Sequence, residues 1–401
     1  MNKMYKIQST RLLKEVMQNY FTDLCSGGKI AWCTSAGPSE LLRAFGFKVY
    51  FPENHGALLG STRTAGDYIP VATKRGYSSD ICSYLTADIG SYLAKSSPLL
   101  SHYKLKELPK PDIIVYNTNQ CREVQDWFTF YGNEFDCPVV GIKPPRYLND
   151  ITKSDIENVI AQFRNIIPVC ESVSGTRFDL DSFKQTLKHS KEAASLWKQV
   201  LETAKVSPPP ISFFDGTIQM GPIVVLRGAP EAIDYYKVLL NELNENISNG
   251  LGIVDSEMCR LYWEGMPIWG KLKYLSNLFL QNKAAVVAST YCNSWAFDEL
   301  DEEEPFESSA VAYTKIFINR SEEVKLEMLK SLVEEFRING VIFHEAKTCF
   351  NNSNSSFGMP LRLKEQTGVE TLVIEGDLCD LRFFSEGQTT TKIETFIEQI
   401  I

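Results

Sequence analysis

The chain has 401 residues, 44% hydrophobic and 23% charged, with a formal net charge of −9. These are the proportions of a globular protein with room for two or three domains. The acidic balance argues against non-specific nucleic-acid binding, which needs a basic surface. No apolar run approaches the ~18 residues of a membrane span, so no membrane role is expected. The opening residues hold no apolar leader core, and a cytoplasmic location is the expectation. In a reducing compartment the ten scattered cysteines read as thiols or metal ligands, not as a disulfide framework.

In chain order, residues 9–27 carry Leu12, Leu13, Val16, Tyr20 and Phe21 near helical spacing and stop at Gly27-Gly28. Residues 29–34 read as a buried strand. Gly37-Pro38 makes a turn, with Pro38 placed to start a helix over 39–45 that Gly46 closes. Residues 48–51 form the next strand, and β-turn-α-β in so short a span is the grammar of a parallel sheet. Residues 52–57 are expected to be a loop. A helix follows Cys82, with Ser79 or Asp80 as its cap. The strand at 111–117 runs into Asn119-Gln-Cys121 and a helix over 124–131. Another strand, 137–142, is stopped by Pro144-Pro145.

Residues 153–204 are helical by pattern, and Pro208-Pro209-Pro210 is a stiff break. A helix follows over 230–246. Residues 283–289, 340–344 and 370–375 are strands of a second sheet, with helices over 322–336 and 388–400. The acidic run 298–304 reads as a solvated loop, and 351–356 as a polar turn. The pattern predicts an α/β protein with two Rossmann-like, doubly wound parallel-sheet domains and additional helices. An N-terminal helical segment spans 1–28, a first domain with a helical extension 29–207, and a second domain 208–401.

Free cysteine is commonly a small buried hydrophobe. That reading suits Cys25, Cys33, Cys137, Cys170 and Cys259, which lie in or beside apolar runs. Cys292 and Cys379 fit either role. Cys82, Cys121 and Cys349 differ: each sits among polar residues at a junction between elements. The last follows a β-branched run, Val341-Ile342-Phe343, at the end of a strand, where open α/β sheets place ligands. Thiolates suit zinc or iron–sulfur clusters. Without a close CxxC pair, a zinc ribbon or ferredoxin-type site is excluded. A cluster assembled from distant loops remains, with one iron open. On spacing alone the buried thiol is the commoner outcome.

Further residues carry a resemblance. They are Trp32-Cys-Thr-Ser-Ala-Gly-Pro-Ser39, Pro52-Glu-Asn-His-Gly56, Asp80-Ile-Cys-Ser83, Asn119-Gln-Cys-Arg122, Tyr262-Trp-Glu-Gly-Met-Pro-Ile-Trp269, Cys349 and Phe384-Ser-Glu-Gly-Gln388. In this order the chain, from about residue 10 to the end, resembles the cluster-bearing subunits of (R)-2-hydroxyacyl-CoA dehydratases and ATP-dependent benzoyl-CoA reductases. Double-cubane cluster proteins belong to the same superfamily. The resemblance implies two Rossmann-like domains with a 4Fe–4S cluster between them, held by Cys82, Cys121 and Cys349. It implies an acyl-CoA substrate, a related or identical cluster-bearing subunit in a dimer, and an ATP-hydrolysing iron–sulfur activator protein. In the dehydratases one low-potential electron forms a ketyl radical, water leaves, and the electron is recovered; in the reductases the electrons stay in the product. Such chemistry belongs to anaerobic metabolism.

The resemblance matches Ser35 and Glu53 to positions near the substrate, as a hydroxyl for the thioester oxygen and a carboxylate for a proton. The bland alternatives are a helix cap for Ser35 and a solvated loop for Glu53. His55 reads as structural. His344 could tune a cluster or could be a core histidine, and the core role is the simpler. Trp263 to Trp269 could wall a cleft but read more simply as packing. Arg122 and Lys347 could offset cluster charge or merely be solvated. An 8Fe–9S double-cubane cluster would need more ligands than the three, with Cys292 and Cys379 as the spare candidates. A third role, an electron-relay subunit, would fill the fourth iron site from the protein.

Overall fold

The computed structural model describes residues 6–146 and 149–401. Residues 1–5, part of the opening stretch considered above for a leader, lie outside the described residues. Two four-stranded parallel sheets organise the chain. The first holds β1 (Ile30–Cys33), β2 (Lys48–Tyr50), β3 (Ile113–Asn117) and β4 (Val139–Ile142), in the order β2-β1-β3-β4. The second holds β5 (Cys259–Glu264), β6 (Ala284–Ser289), β7 (Gly340–Ala346) and β8 (Glu370–Gly376), in the order β6-β5-β7-β8. Every pairing is parallel.

The two orders are the same winding used twice. In each, the chain steps outward after the first strand and then crosses back, so adjacent loops diverge between β1 and β3 and between β5 and β7. Open α/β sheets bind ligands at such a point, beyond the carboxyl ends of the strands. The central strands β1, β3 and β5 are buried at every residue, as strands covered on both faces must be.

The long helical stretch divides at Gly175, whose φ of +73° ends Lys153–Ser174 before Leu180–Glu202 begins. Leu180–Glu202 packs against both Ser39–Ala44 and Pro230–Ser248. The acidic run is solvated and pinned by lysines: Asp298 to Lys198 at 2.6 Å, Asp301 and Glu302 to Lys191 at 3.0 Å.

Several expectations need correction. Residues 52–57 are not a loop but the start of the helix Pro52–Ser61, with Pro52 in the first turn, where its missing N–H costs nothing. The helix after the Asp80 turn is Ser83–Leu93, and Cys82 itself, not Ser79 or Asp80, occupies the cap position. Strand β5 was not foreseen. Cys25 is exposed and Cys137 half-buried, so neither is a core hydrophobe. Within the polar stretch 351–356, Asn352, Ser353 and Asn354 are buried.

Candidate functional site

The loops after β1 and β3 converge. Ser35 follows β1 and is buried; its backbone N–H donates a short hydrogen bond to Glu53, and its hydroxyl reaches Asn54 at 3.4 Å. Glu53 comes from the first turn of Pro52–Ser61, where the helix N-terminus favours a carboxylate. Neither bland alternative holds: Ser35 caps no helix, and Glu53 is buried. Burial dominates and lifts the Glu53 carboxyl from 4.5 to about 7, against the opposing pull of the Ser35 hydrogen bonds and Arg227. The Gln120 amide, oriented to satisfy both its groups, donates to Glu53 at 3.3 Å and accepts from the Ala36 N–H at 3.1 Å.

Arg227 locks this corner from behind. Its guanidinium is fully buried and donates to the Ser35 carbonyl at 2.7 Å and the Gly37 carbonyl at 2.9 Å, with Glu40 at 3.4 Å. Gly37 allows the turn because a Cβ there would lie 2.6 Å from the Cys33 sulfur.

Cys82, Cys121 and Cys349 come from three junctions: the start of Ser83–Leu93, the loop after β3 and the loop after β7. Each is half-buried. Burial pushes each thiol up, and in each case another of the three is the next cause: Cys349 for Cys82, Cys82 for Cys121, Cys121 for Cys349. The three therefore sit close enough to repel one another as thiolates. Backbone N–H groups of the following turn oppose that push: Tyr84 and Leu85 for Cys82, Val124 for Cys121, Asn352 for Cys349.

Two ties hold these segments across the sheets. The Ser83 N–H donates to the Thr348 hydroxyl at 3.0 Å, and that hydroxyl donates to buried Asp377 at 2.7 Å. Arg146 donates to the Gln120 carbonyl at 3.0 Å and to Asn351 at 3.1 Å, spanning the Cys121 and Cys349 loops. Arg122 and Lys347 are exposed, as the solvated reading has it. Cys379 is buried, donating to the Gly56 carbonyl and accepting from Ser83 at 3.6 Å each. Cys292 is buried against Thr217. Among the described residues no three His, Cys, Asp or Glu side chains could hold a single metal ion.

His344 is a core histidine. Its Nδ1 donates to the Met266 carbonyl at 2.6 Å, and burial lowers its pKa to about 4, so the ring is neutral with a bare Nε2 that cannot donate to a sulfide. His55 is buried between Asp88 at 2.5 Å and Ser97 at 2.7 Å. Trp263 is core, whereas Trp269 lines a cavity.

A small chamber of about 90 Å³ sits where these loops meet, lined by Ser35, Glu53, Tyr84, Gln120 and Asn352 together with apolar side chains. Asn54, Ala57 and Tyr291 also line a second cavity of about 770 Å³, so the two adjoin. Exposed Lys14, Arg63 and Lys273 stand at the rim of the larger one.

A family model described as "2-hydroxyglutaryl-CoA dehydratase, D-component" matches residues 34–400. The chain belongs to that family. It is 29% identical over 390 residues to the (R)-2-hydroxyisocaproyl-CoA dehydratase alpha subunit of Clostridioides difficile, covering 96% of this chain and 94% of that one. It is 27% identical to the alpha subunit of the lactoyl-CoA dehydratase of Anaerotignum propionicum, covering 93% and 91%. It is 30% identical to a subunit of the benzoyl-CoA reductase of Thauera aromatica, covering 90% and 86%. The family thus joins lyases named for hydroxyacyl thioesters with a reductase. No described helix is long and apolar enough to cross a membrane.

Sequence reasoning missed Gln120, Arg146, Arg227, Thr348 and Asp377. Gln120 had a signal in its place beside Cys121. Arg227, directly after the apolar run Ile223–Leu226, could have been read as a buried cation; the others carry no local mark.

Proposed function

We propose that this chain is the iron–sulfur subunit of an ATP-activated, radical dehydratase that removes water from an (R)-2-hydroxyacyl-CoA. The observation that carries the reading is the convergence of three cysteine-bearing segments from both halves of the chain, tied by the Ser83–Thr348 and Arg146 hydrogen bonds, beside the buried Ser35–Glu53 pair. Thiolates on separate corners of a cubane stand further apart than ligands of one ion, so the trio suits a 4Fe–4S cluster better than zinc. The backbone N–H groups beside each sulfur suit it too, since N–H contacts to cluster sulfurs stabilise the reduced, more negative state.

When bound, the cluster supplies a low-potential electron delivered by an ATP-hydrolysing activator protein. The chain's own residues do the rest. The Ser35 hydroxyl holds the thioester oxygen. Glu53, near half-protonated at neutral pH, takes the substrate proton or returns one to the departing hydroxyl. Apolar walls exclude water from the reacting centre. The larger cavity takes the CoA arm, with Lys14, Arg63 and Lys273 for its phosphates. A related or identical subunit completes the enzyme, a reading supported by the subunit names of the relatives. The domain division is taken at 207/208.

A second reading, reduction of an acyl-CoA, is favoured by the 30% identity to a benzoyl-CoA reductase chain. A dehydratase consumes no net electrons per turnover and a reductase does, so reductant stoichiometry separates them. Cys292 is held by Thr217, and Cys379, although it neighbours Cys82 through Ser83, is fully buried with its own hydrogen bond to the Gly56 carbonyl, which supports one cubane over two, and the chamber counts against a bare electron relay. Anaerobically purified protein is expected to hold about four irons per chain. Cys82→Ser, Cys121→Ser and Cys349→Ser each lower iron content and alter the visible spectrum, while Cys259→Ser leaves both unchanged. Full iron retention in all three variants would sink the proposal.

A further inference from the structure

The small chamber has a chemical character that names its occupant. Its apolar wall is Met266, Trp295, Phe297, Ile316, Phe317 and Ile318, and beyond Ser35 and Glu53 its polar side chains, Asn54, Tyr84, Gln120, Tyr291, Ser294 and Asn352, are all neutral types. None of the described side chains lining it is a cation. Two buried cations lie close behind the wall, and both are committed. Arg227 stacks on Trp295 and Phe297, 5.6 and 5.4 Å from the ring centroids, and is held by the Ser35 and Gly37 carbonyls and Glu40. Lys325 lies 5.8 Å from the Phe317 ring centroid and donates to Asn354 at 2.9 Å. A carboxylate entering the chamber would meet ring faces, neutral amides and hydroxyls, and Glu53, not a free positive charge.

Resting on the acyl-thioester reading above, we infer that the chamber selects an uncharged, short aliphatic acyl chain. Charge is the first criterion. Burying a carboxylate beside Glu53 without a cationic partner is strongly unfavourable, and drawing Arg227 or Lys325 toward it would break the hydrogen bonds that hold the Ser35 turn or the Asn354 loop. Size is the second. The chamber is about 90 Å³, below the ~150 Å³ of an apolar protein cavity that admits benzene. A methyl or isobutyl tail fits where a benzyl tail crowds Phe297 and Phe317.

The test is equilibrium binding of the full-length chain to CoA and to four CoA thioesters: 2-hydroxypropanoyl, 2-hydroxy-4-methylpentanoyl, 2-hydroxy-3-phenylpropanoyl and 2-hydroxyglutaryl. The methylpentanoyl ester is expected to bind at least about 100-fold tighter than the glutaryl ester and about tenfold tighter than the phenyl ester. Ile318→Ala, which opens the half-buried end of the wall, is expected to improve phenyl-ester binding about tenfold while leaving CoA binding unchanged. A glutaryl ester that binds as tightly as the methylpentanoyl ester, or a phenyl ester that binds tightest to the unaltered chain, overturns the inference and leaves the acyl-thioester reading standing. Failure of CoA and of every ester to bind removes that reading, and the inference with it.

Discussion

At the scale of single residues, Glu53 has the most unusual environment. Unfolded, its carboxyl titrates near 4.5; folded, at about 7, chiefly from burial. The folded state therefore binds this proton more tightly, and the resulting stability is fully present below about 4.5 and lost as pH rises through 7. Glu53→Gln removes that dependence. Denaturation of the two proteins at pH 4.5 and pH 8 is expected to shift their stability difference by on the order of 3 kcal/mol in the variant's favour at the higher pH. If Glu53 moves the proton as the carboxylate, kcat/KM rises with pH through about 7, and the variant loses about 100-fold or more in turnover together with that limb. Ser35, Glu53 and the three cysteines stood out through the family resemblance, and all but Cys82, which begins a helix, also follow a strand closely. Arg227 and Asp377 did not: the role of a buried polar group depends on what folds around it, and Arg227 meets the Ser35 carbonyl 192 residues away while Asp377 reaches Thr348 across 29.

At the scale of elements, the sequence was clearest where apolar runs were uninterrupted, as in β3 and β7. Strand β5 escaped notice because Arg260 and Glu264 break its apolar pattern. Both charges are nonetheless buried and satisfied, Arg260 by the Phe336, Val206 and Ala204 carbonyls and by Glu257, Glu264 by Thr290 and Asn354. The helix Pro52–Ser61 escaped because proline, asparagine and glycine crowd its first turns, although proline at a helix start is favourable. The paired helices Ala65–Lys74 and Ser83–Leu93 depend on one close approach: a Cβ at Gly90 would lie 2.0 Å from the Tyr68 carbonyl oxygen. Gly90→Ala is expected to cost about 1–3 kcal/mol through a forced backbone shift, seen as a lower denaturation midpoint at unchanged slope.

At the scale of the whole molecule, the two sheets are joined at the site through the Ser83–Thr348–Asp377 chain of hydrogen bonds. Thr348→Val keeps the shape and deletes the hydroxyl, leaving the Ser83 N–H without its acceptor. The expected cost is about 1–3 kcal/mol, with faster amide exchange at Ser83; Thr348→Ser should restore both. The doubled winding was legible from the alternation of strands and helices, whereas the way the halves face each other was not, because no local pattern encodes a contact across 265 residues. That separation also sets an order of events in the cell. Chains emerge from the ribosome amino end first and fold as they lengthen. Cys82 and Cys121 are therefore made long before Cys349 exists to join them. On the proposed cluster reading, whatever loads the centre must act on a finished polypeptide.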